Sequence, residues 1–185
     1  GTLVALVALQ NINATAALLY YLVHSTLVCA ALFLVADLIA HQRGKVADRF
    51  APGRGVAQPY LLGTCFIIAA LAVVGMPPLS GFIGKVWILK TTLDSEKALL
   101  FWPVYLLASF ALLVALSRAG TTLFWERKHQ DSEPTEGVKA HPLQVTAIIA
   151  LLVCSPLLVI FGGAVSEYMI AAATQLHDIT GGINT

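Results

Sequence analysis

The sequence predicts an all-α, polytopic transmembrane helix bundle with one discontinuous helix, and three observations carry that prediction. Of its 185 residues 58% are hydrophobic and the mean hydropathy is +0.81, too apolar for an ordinary soluble domain. Apolar runs long enough to cross a bilayer recur along the chain. One of them is interrupted near its middle by Gly75-Met76-Pro77-Pro78. Eleven Lys and Arg against ten Asp and Glu leave a net charge of +1, which excludes the basic field that a nucleic-acid partner requires.

The elements follow in order. Residues 1–9 form an apolar stump: as a helix, Thr2 to Leu9 would rise about 12 Å, less than half of the roughly 30 Å hydrocarbon core. The stump reads as the end of a helix that begins before Gly1. The first full span is 14–40, followed by a connector, 41–59, that carries Arg43, Lys45, Arg49 and Arg54. The second apolar run extends over 60–93. Its segment Tyr60 to Leu89 would measure about 45 Å as one straight helix, so it must tilt, bend or break. Adjacent prolines remove two backbone donors and disfavour helix at the preceding residue. Two half-helices result, Tyr60–Val74 and Leu79–Leu93, with the break at Gly75, Pro77 and Pro78. Irregular backbone at membrane depth is tolerated only inside protein or against a wet cavity, and transporters place it at ion sites.

The third span is 101–125 and the last is 143–161, joined by a loop, 126–142, with Arg127, Lys128 and Lys139. The two long loops hold seven basic residues, against Lys90 and Lys97 on the other side. The positive-inside rule therefore makes both loops cytoplasmic and the C-terminal tail, 162–185, external. Gly162-Gly163 and Gly181-Gly182 read as turns, with a short interfacial helix over Glu167 to Asp178. Trp102, Tyr105 and Trp125 fall near span ends, where amphipathic rings anchor at the headgroups. Cys29, Cys65 and Cys154 lack metal-ligand spacing and read as small buried apolar residues. Neither a metal ligand set nor a cofactor-binding motif occurs, and a soluble active site is not visible.

Chemistry is then left to the ionisable residues inside the spans. Lys85 lies seven residues past the double proline, roughly 10 Å along the second half-helix. A Lys at the bilayer centre costs a few kcal/mol or more, and such residues mark ion and proton paths. Its bland alternative is snorkelling to the headgroups, a task for which Lys90 is better placed. His24, at the centre of the first span, is the side chain that titrates nearest neutrality. Tyr20 and Tyr21 stand one turn before it and complete a polar face. A proton relay and a packing hydrogen bond are equal readings of His24. Asp37 and Arg118 sit toward the cytoplasmic ends of their helices. Asp37 either meets water at the interface or gates proton entry. Arg118 cannot usefully deprotonate, and so suits charge balance or a lipid phosphate.

Two stretches carry a resemblance: Tyr20-Tyr21-Leu22-Val23-His24-Ser25-Thr26-Leu27 with Ala31-Leu32-Phe33-Leu34, and Gly75-Met76-Pro77-Pro78-Leu79-Ser80-Gly81-Phe82-Ile83-Gly84-Lys85. They resemble the antiporter-like membrane subunits shared by Mrp-type multisubunit Na⁺/H⁺ antiporters and respiratory complex I. Ala36-Asp37-Leu38-Ile39 and Ser117-Arg118-Ala119-Gly120 with Leu123-Phe124-Trp125 are most similar to the D-type subunits of the Mrp (Mnh, Pha) antiporters.

The resemblance runs from Gly1 to about Phe161 and implies the C-terminal part of an inverted-repeat, proton-conducting transporter domain. It implies Lys85 as the lysine of the second discontinuous helix and His24 as the histidine of the preceding proton-path helix. Several relatives have a lysine where this chain has Cys29, so a relay through that position would need water or a hydroxyl such as Thr26.

The implied function is a proton-translocating subunit of a monovalent cation (Na⁺)/H⁺ antiporter in a bacterial inner membrane. It would work beside other subunits and without a cofactor of its own. The alternatives are a proton-pumping subunit of complex I or a related membrane-bound hydrogenase, and a purely structural membrane subunit.

Overall fold

The computed structural model describes residues 11–43, 56–93, 98–124 and 140–183. The stump at residues 1–9, most of both long loops, Lys97 and Trp125 lie outside the described residues. Six helices follow one another: α1 (Ile12–Arg43), α2 (Pro59–Val74), α3 (Ser80–Thr92), α4 (Ala98–Phe124), α5 (Pro142–Ile160) and α6 (Gly162–Ile183). Among the described residues there is no strand, and the fold is an all-helical bundle with one discontinuous helix, α2–α3. Three helices are long and apolar enough to cross a membrane, α1, α4 from Phe101, and α5, while α2 is apolar but shorter.

Helix α1 is the axis of the bundle and packs on α2, α3, α5 and α6. It is apolar all round, so its sequence alone does not show which side faces protein. Packing picks out one stripe: Ala14, Ala17, Tyr20, His24, Val28, Ala31, Val35, Leu38 and Gln42 are all buried. Their spacings of three or four residues are those of a helix seam. His24 is the one imidazole in the middle of that stripe, which sets it apart from the exposed polar residues of the same helix.

Below the break the seam meets α2 and α5 in an apolar core of Val35, Leu38, Leu62, Phe66, Ile148 and Leu152. At that end, Gln42 Nε2 donates to Gln58 Oε1 at 3.1 Å and the Gln58 N–H returns to Gln42 Oε1 at 3.0 Å. Gln58 Oε1 also accepts the Ala140 N–H at 3.0 Å. One amide pair thus ties the end of α1 to the starts of α2 and α5, and Pro59 and Pro142 occupy the first helical positions where a missing N–H costs nothing.

Two expectations are corrected. Instead of a short helix flanked by glycine turns, the tail forms α6 over Gly162–Ile183, with both glycine pairs inside it. After α5 only Phe161 interrupts the helix, and the pair runs antiparallel to α1 until His177 Nε2 lies 3.0 Å from Thr15 Oγ1. The length of α1 explains this: 32 residues rise about 48 Å, so its stretch above the break has room for α6 as well as α3. Among the cysteines, Cys65 is buried as expected but Cys29 is exposed, because it lies off the packed seam.

Candidate functional site

The break is built by backbone first. Gly75 takes φ +78°, ψ +49°, the left-handed conformation that a residue without Cβ adopts freely. The Met76 N–H returns to Leu71 O at 3.0 Å and the Gly75 N–H to Ala72 O at 3.2 Å, a Schellman closure of α2. Pro77 and Pro78 follow, and α3 begins at Ser80 from an extended Leu79 that offers no side-chain cap. The carbonyl end of one helix therefore faces the N–H end of the next, with opposite partial charges of the two dipoles meeting in the middle of the bundle. Gly81 lets them approach. A Cβ there would collide with the Ala72 carbonyl oxygen and would stand 2.8 Å from His24 Nε2.

Two titratable side chains serve the two helix ends. Lys85 reaches back from α3 and donates to Val74 O at 2.7 Å and to Ser109 Oγ of α4 at 2.9 Å. Its ammonium also lies 5.8 Å from the Tyr105 ring centroid, within cation–π range. Among the described residues no carboxylate pairs with it. The positive charge is thus held by the α2 C-terminal dipole, a hydroxyl and an aromatic face, all neutral groups.

His24 of α1 enters from the other side. Its Nδ1 is 2.7 Å from Ser80 Oγ, and Ser80 Oγ is 2.8 Å from Ser155 Oγ of α5. The Ser80 N–H also points at Ser155 Oγ at 3.3 Å, so the cap that Leu79 lacks comes from α5. The Ala72 carbonyl faces the other edge of the ring. His24, Ser80 and Ser155 are all buried. Tyr20 and Tyr105 each bury a hydroxyl that meets hydrogen-bond geometry with none of the described residues, and the Tyr21 ring lies 5.9 Å from the His24 ring, tilted by 49°. Among the described residues no three His, Cys, Asp or Glu side chains converge.

A family model for the transmembrane domain of NADH:quinone oxidoreductases and Mrp antiporters matches residues 1–111, which takes in His24, the break, Lys85, Tyr105 and Ser109. The chain belongs to this family. It is 30% identical to a protein of Rhizobium meliloti named as the probable D-type subunit of a K⁺/H⁺ antiporter, covering 95% of this chain and 37% of that protein. It is 31% identical to the D-type subunit of the Na⁺/H⁺ antiporter of Bacillus subtilis, over 72% of this chain and 27% of the relative. To the N-type subunit of the NADH-quinone oxidoreductase of Heliobacterium modesticaldum it is 27% identical, over 78% and 29%. The chain thus spans about a third of the length of the relatives it matches.

Of the residues singled out in the sequence of this family member, the fold gathers Lys85, His24, Gly75, Pro77, Pro78, Tyr20 and Tyr21 around the break. It leaves the others apart. Asp37 is thirteen residues beyond His24 on α1, about 20 Å away, where it lies exposed and 3.5 Å from His41. Thr26 is exposed and bonds back to Leu22 O at 2.8 Å, on the face opposite His24. Arg118 is exposed on α4. Tyr105 does not anchor at an interface: it is 8% exposed, against Lys85. Ser80, Ser109 and Ser155 are invisible to sequence reasoning because single serines in apolar helices carry no pattern. The one available signal is that buried hydroxyls need partners, and the nearest titratable groups are the natural ones.

Proposed function

We propose that this chain is part of a proton-translocating, D-type membrane subunit of a multisubunit monovalent cation/proton antiporter, and that Lys85 and His24 lie on its proton path. The observation that carries the reading is Lys85 itself. Its ammonium is half-buried beside a helix break, with neutral partners alone among the described residues. An unpaired intramembrane cation is costly and is characteristic of ion pathways. Held by a carbonyl and a hydroxyl instead of a carboxylate, it can give up its proton without stranding a buried anion. His24 supplies the second exchange point on the other side of Gly81, and Tyr20, Tyr21 and Tyr105 bring hydroxyls that ordered water can join. Asp37 with His41, at the far end of α1, would collect protons at the cytoplasmic mouth.

The reading includes a bacterial inner membrane, loops 41–59 and 126–142 on the cytoplasmic side, an external C-terminus, and partner subunits that complete the complex. The relatives are named for both Na⁺ and K⁺, and we favour Na⁺ as the exchanged cation. The likeness to an NADH-quinone oxidoreductase component supports a second reading, a redox-driven pump that uses the same groups. Vesicles holding the full-length complex separate the two. Antiport predicts a pH gradient on adding Na⁺ or K⁺ with no electron donor present; a gradient that forms only when NADH or another donor is oxidised would overturn it.

A further inference from the structure

Ser155 belongs to α5, beyond the residues the family model matches, and its surroundings give it a definite task. It lies at the end of a buried line, His24 Nδ1 to Ser80 Oγ at 2.7 Å and Ser80 Oγ to Ser155 Oγ at 2.8 Å. The direction of that line depends on the His24 tautomer, and one assignment uses every donor. The Ala72 carbonyl faces the Nε2 edge of the ring, and a carbonyl only accepts. With Nε2 carrying the proton of neutral His24 on that side, Nδ1 accepts from the Ser80 hydroxyl. Ser80 Oγ in turn accepts from Ser155, whose oxygen also takes the Ser80 N–H. Each hydrogen along the line is used once.

Protonation of Nδ1 reverses the line. The new N–H donates to Ser80 Oγ, the Ser80 hydroxyl turns to Ser155 Oγ, and the Ser155 hydroxyl must find another acceptor. The next residue is Pro156, inside α5. Having no N–H, it leaves the carbonyl of Leu152 without its helical donor. That carbonyl is three residues back, within reach of a serine side chain in a helix.

We infer that Ser155 is a positioning residue of the proton path, completing a two-hydroxyl wire to His24 Nδ1 whose two orientations are both satisfied because Pro156 frees the Leu152 carbonyl. The inference rests on the proton-path reading of His24. Along the wire the Ser80 hydrogen passes to Nδ1, the Ser155 hydrogen passes to Ser80 Oγ, and Ser155 takes one from a hydrated proton. One proton enters, one N–H bond forms, and both hydroxyls are regenerated.

The test uses the full-length subunit in its assembled complex. In vesicles, Ser155→Ala should lower the maximal rate of cation-driven proton movement about tenfold, the order of one lost hydrogen bond in the path, with the KM for the cation unchanged. Ser155→Thr should restore it, and Pro156→Ala, which returns a donor to Leu152, should slow it. A wild-type rate in Ser155→Ala, or a rate in Ser155→Thr as low as in Ser155→Ala, would overturn the inference. Solid-state ¹⁵N NMR of the His24 ring in the unmutated complex decides the matter even if the variants fail to assemble. The wire requires neutral His24 to carry its proton on Nε2; a proton on Nδ1 overturns it. That spectrum does not depend on transport, so normal antiport in a His24→Ala variant would sink the proton-path reading separately.

Discussion

Gly81 is the closest approach in the helix break, and its replacement by alanine has a calculable outcome. The added Cβ would collide with the Ala72 carbonyl oxygen, lie 2.8 Å from His24 Nε2 and 3.1 Å from Gly75 Cα. Two of those three neighbours are backbone, so the strain cannot be relieved by turning a side chain. Overpacking of this kind costs about 1–3 kcal/mol, against at most about 1 kcal/mol of helix propensity regained by alanine. If the ring moves instead, its 2.7 Å bond to Ser80 is lost, at about 0.5–1.5 kcal/mol. Either route opens the break by several tenths of an ångström or displaces His24. Gly84→Ala, one turn later, supplies the comparison, because its Cβ would meet only Tyr20 and Tyr21 ring atoms at 3.2–3.4 Å. In the full-length complex, thermal unfolding followed by loss of detergent solubility should fall clearly for Gly81→Ala and slightly for Gly84→Ala. Antiport should be lost in the first and largely kept in the second. Equal stability and equal transport in the two variants would refute the idea that the break is held shut at Gly81.

Other substitutions test separate parts of the account. Gly75→Ala forces a Cβ into φ +78°, 2.8 Å from Lys85 Cδ; it should cost about 1–2 kcal/mol, seen as a lower thermal midpoint. Tyr105→Phe keeps the ring over Lys85 and removes a buried hydroxyl lacking a partner among the described residues. It should be neutral or slightly stabilising in the same assay, whereas Tyr105→Leu should weaken transport by removing the cation–π face. Gln58→Ala removes the acceptor of the buried Gln42 Nε2 and of the Ala140 N–H, while the backbone N–H of residue 58 still donates to Gln42 Oε1; it should cost about 1–3 kcal/mol, lowering the assembled amount without changing the rate per complex. Asp37→Asn breaks only an exposed pair, worth about 0–1 kcal/mol. Its stability should match wild type, and any effect should show as slower proton uptake from the side of the membrane at that end of α1.

How much of the molecule is legible in the sequence depends on whether a feature is local. The helix break is legible because Gly-Met-Pro-Pro acts on its own backbone, whatever surrounds it. Lys85 and His24 stand out because a titratable group in an apolar run is conspicuous without any tertiary information. The packed face of α1 is not legible: in a helix apolar all round, lipid-facing and protein-facing residues look alike, and only the fold shows that His24 is on the seam and Thr26 off it. Tyr105 misleads for a related reason. Its place near a span end fits an interfacial anchor, and nothing local says that α4 turns it toward Lys85 instead. The serines at positions 80, 109 and 155 come from three helices, so the meeting of Ser80 with Ser155 and of Ser109 with Lys85 is a property of topology alone. The extent of α6 is hidden because paired glycines signal turns in isolation, whereas both pairs lie within the one helix Gly162–Ile183.

The central claim is that Lys85 carries protons instead of merely capping α2. The most direct test sets Lys85→Arg against Lys85→Ala in the full-length complex, measuring cation-dependent pH change across vesicles with no electron donor. Arginine keeps the positive charge and can still donate to Val74 O, but it does not deprotonate in a protein. If Lys85 moves protons, both variants assemble and both lose antiport. Antiport at the wild-type rate in Lys85→Arg, with loss in Lys85→Ala, would show that Lys85 is a fixed charge holding the helix break together and would contradict its place on the proton path.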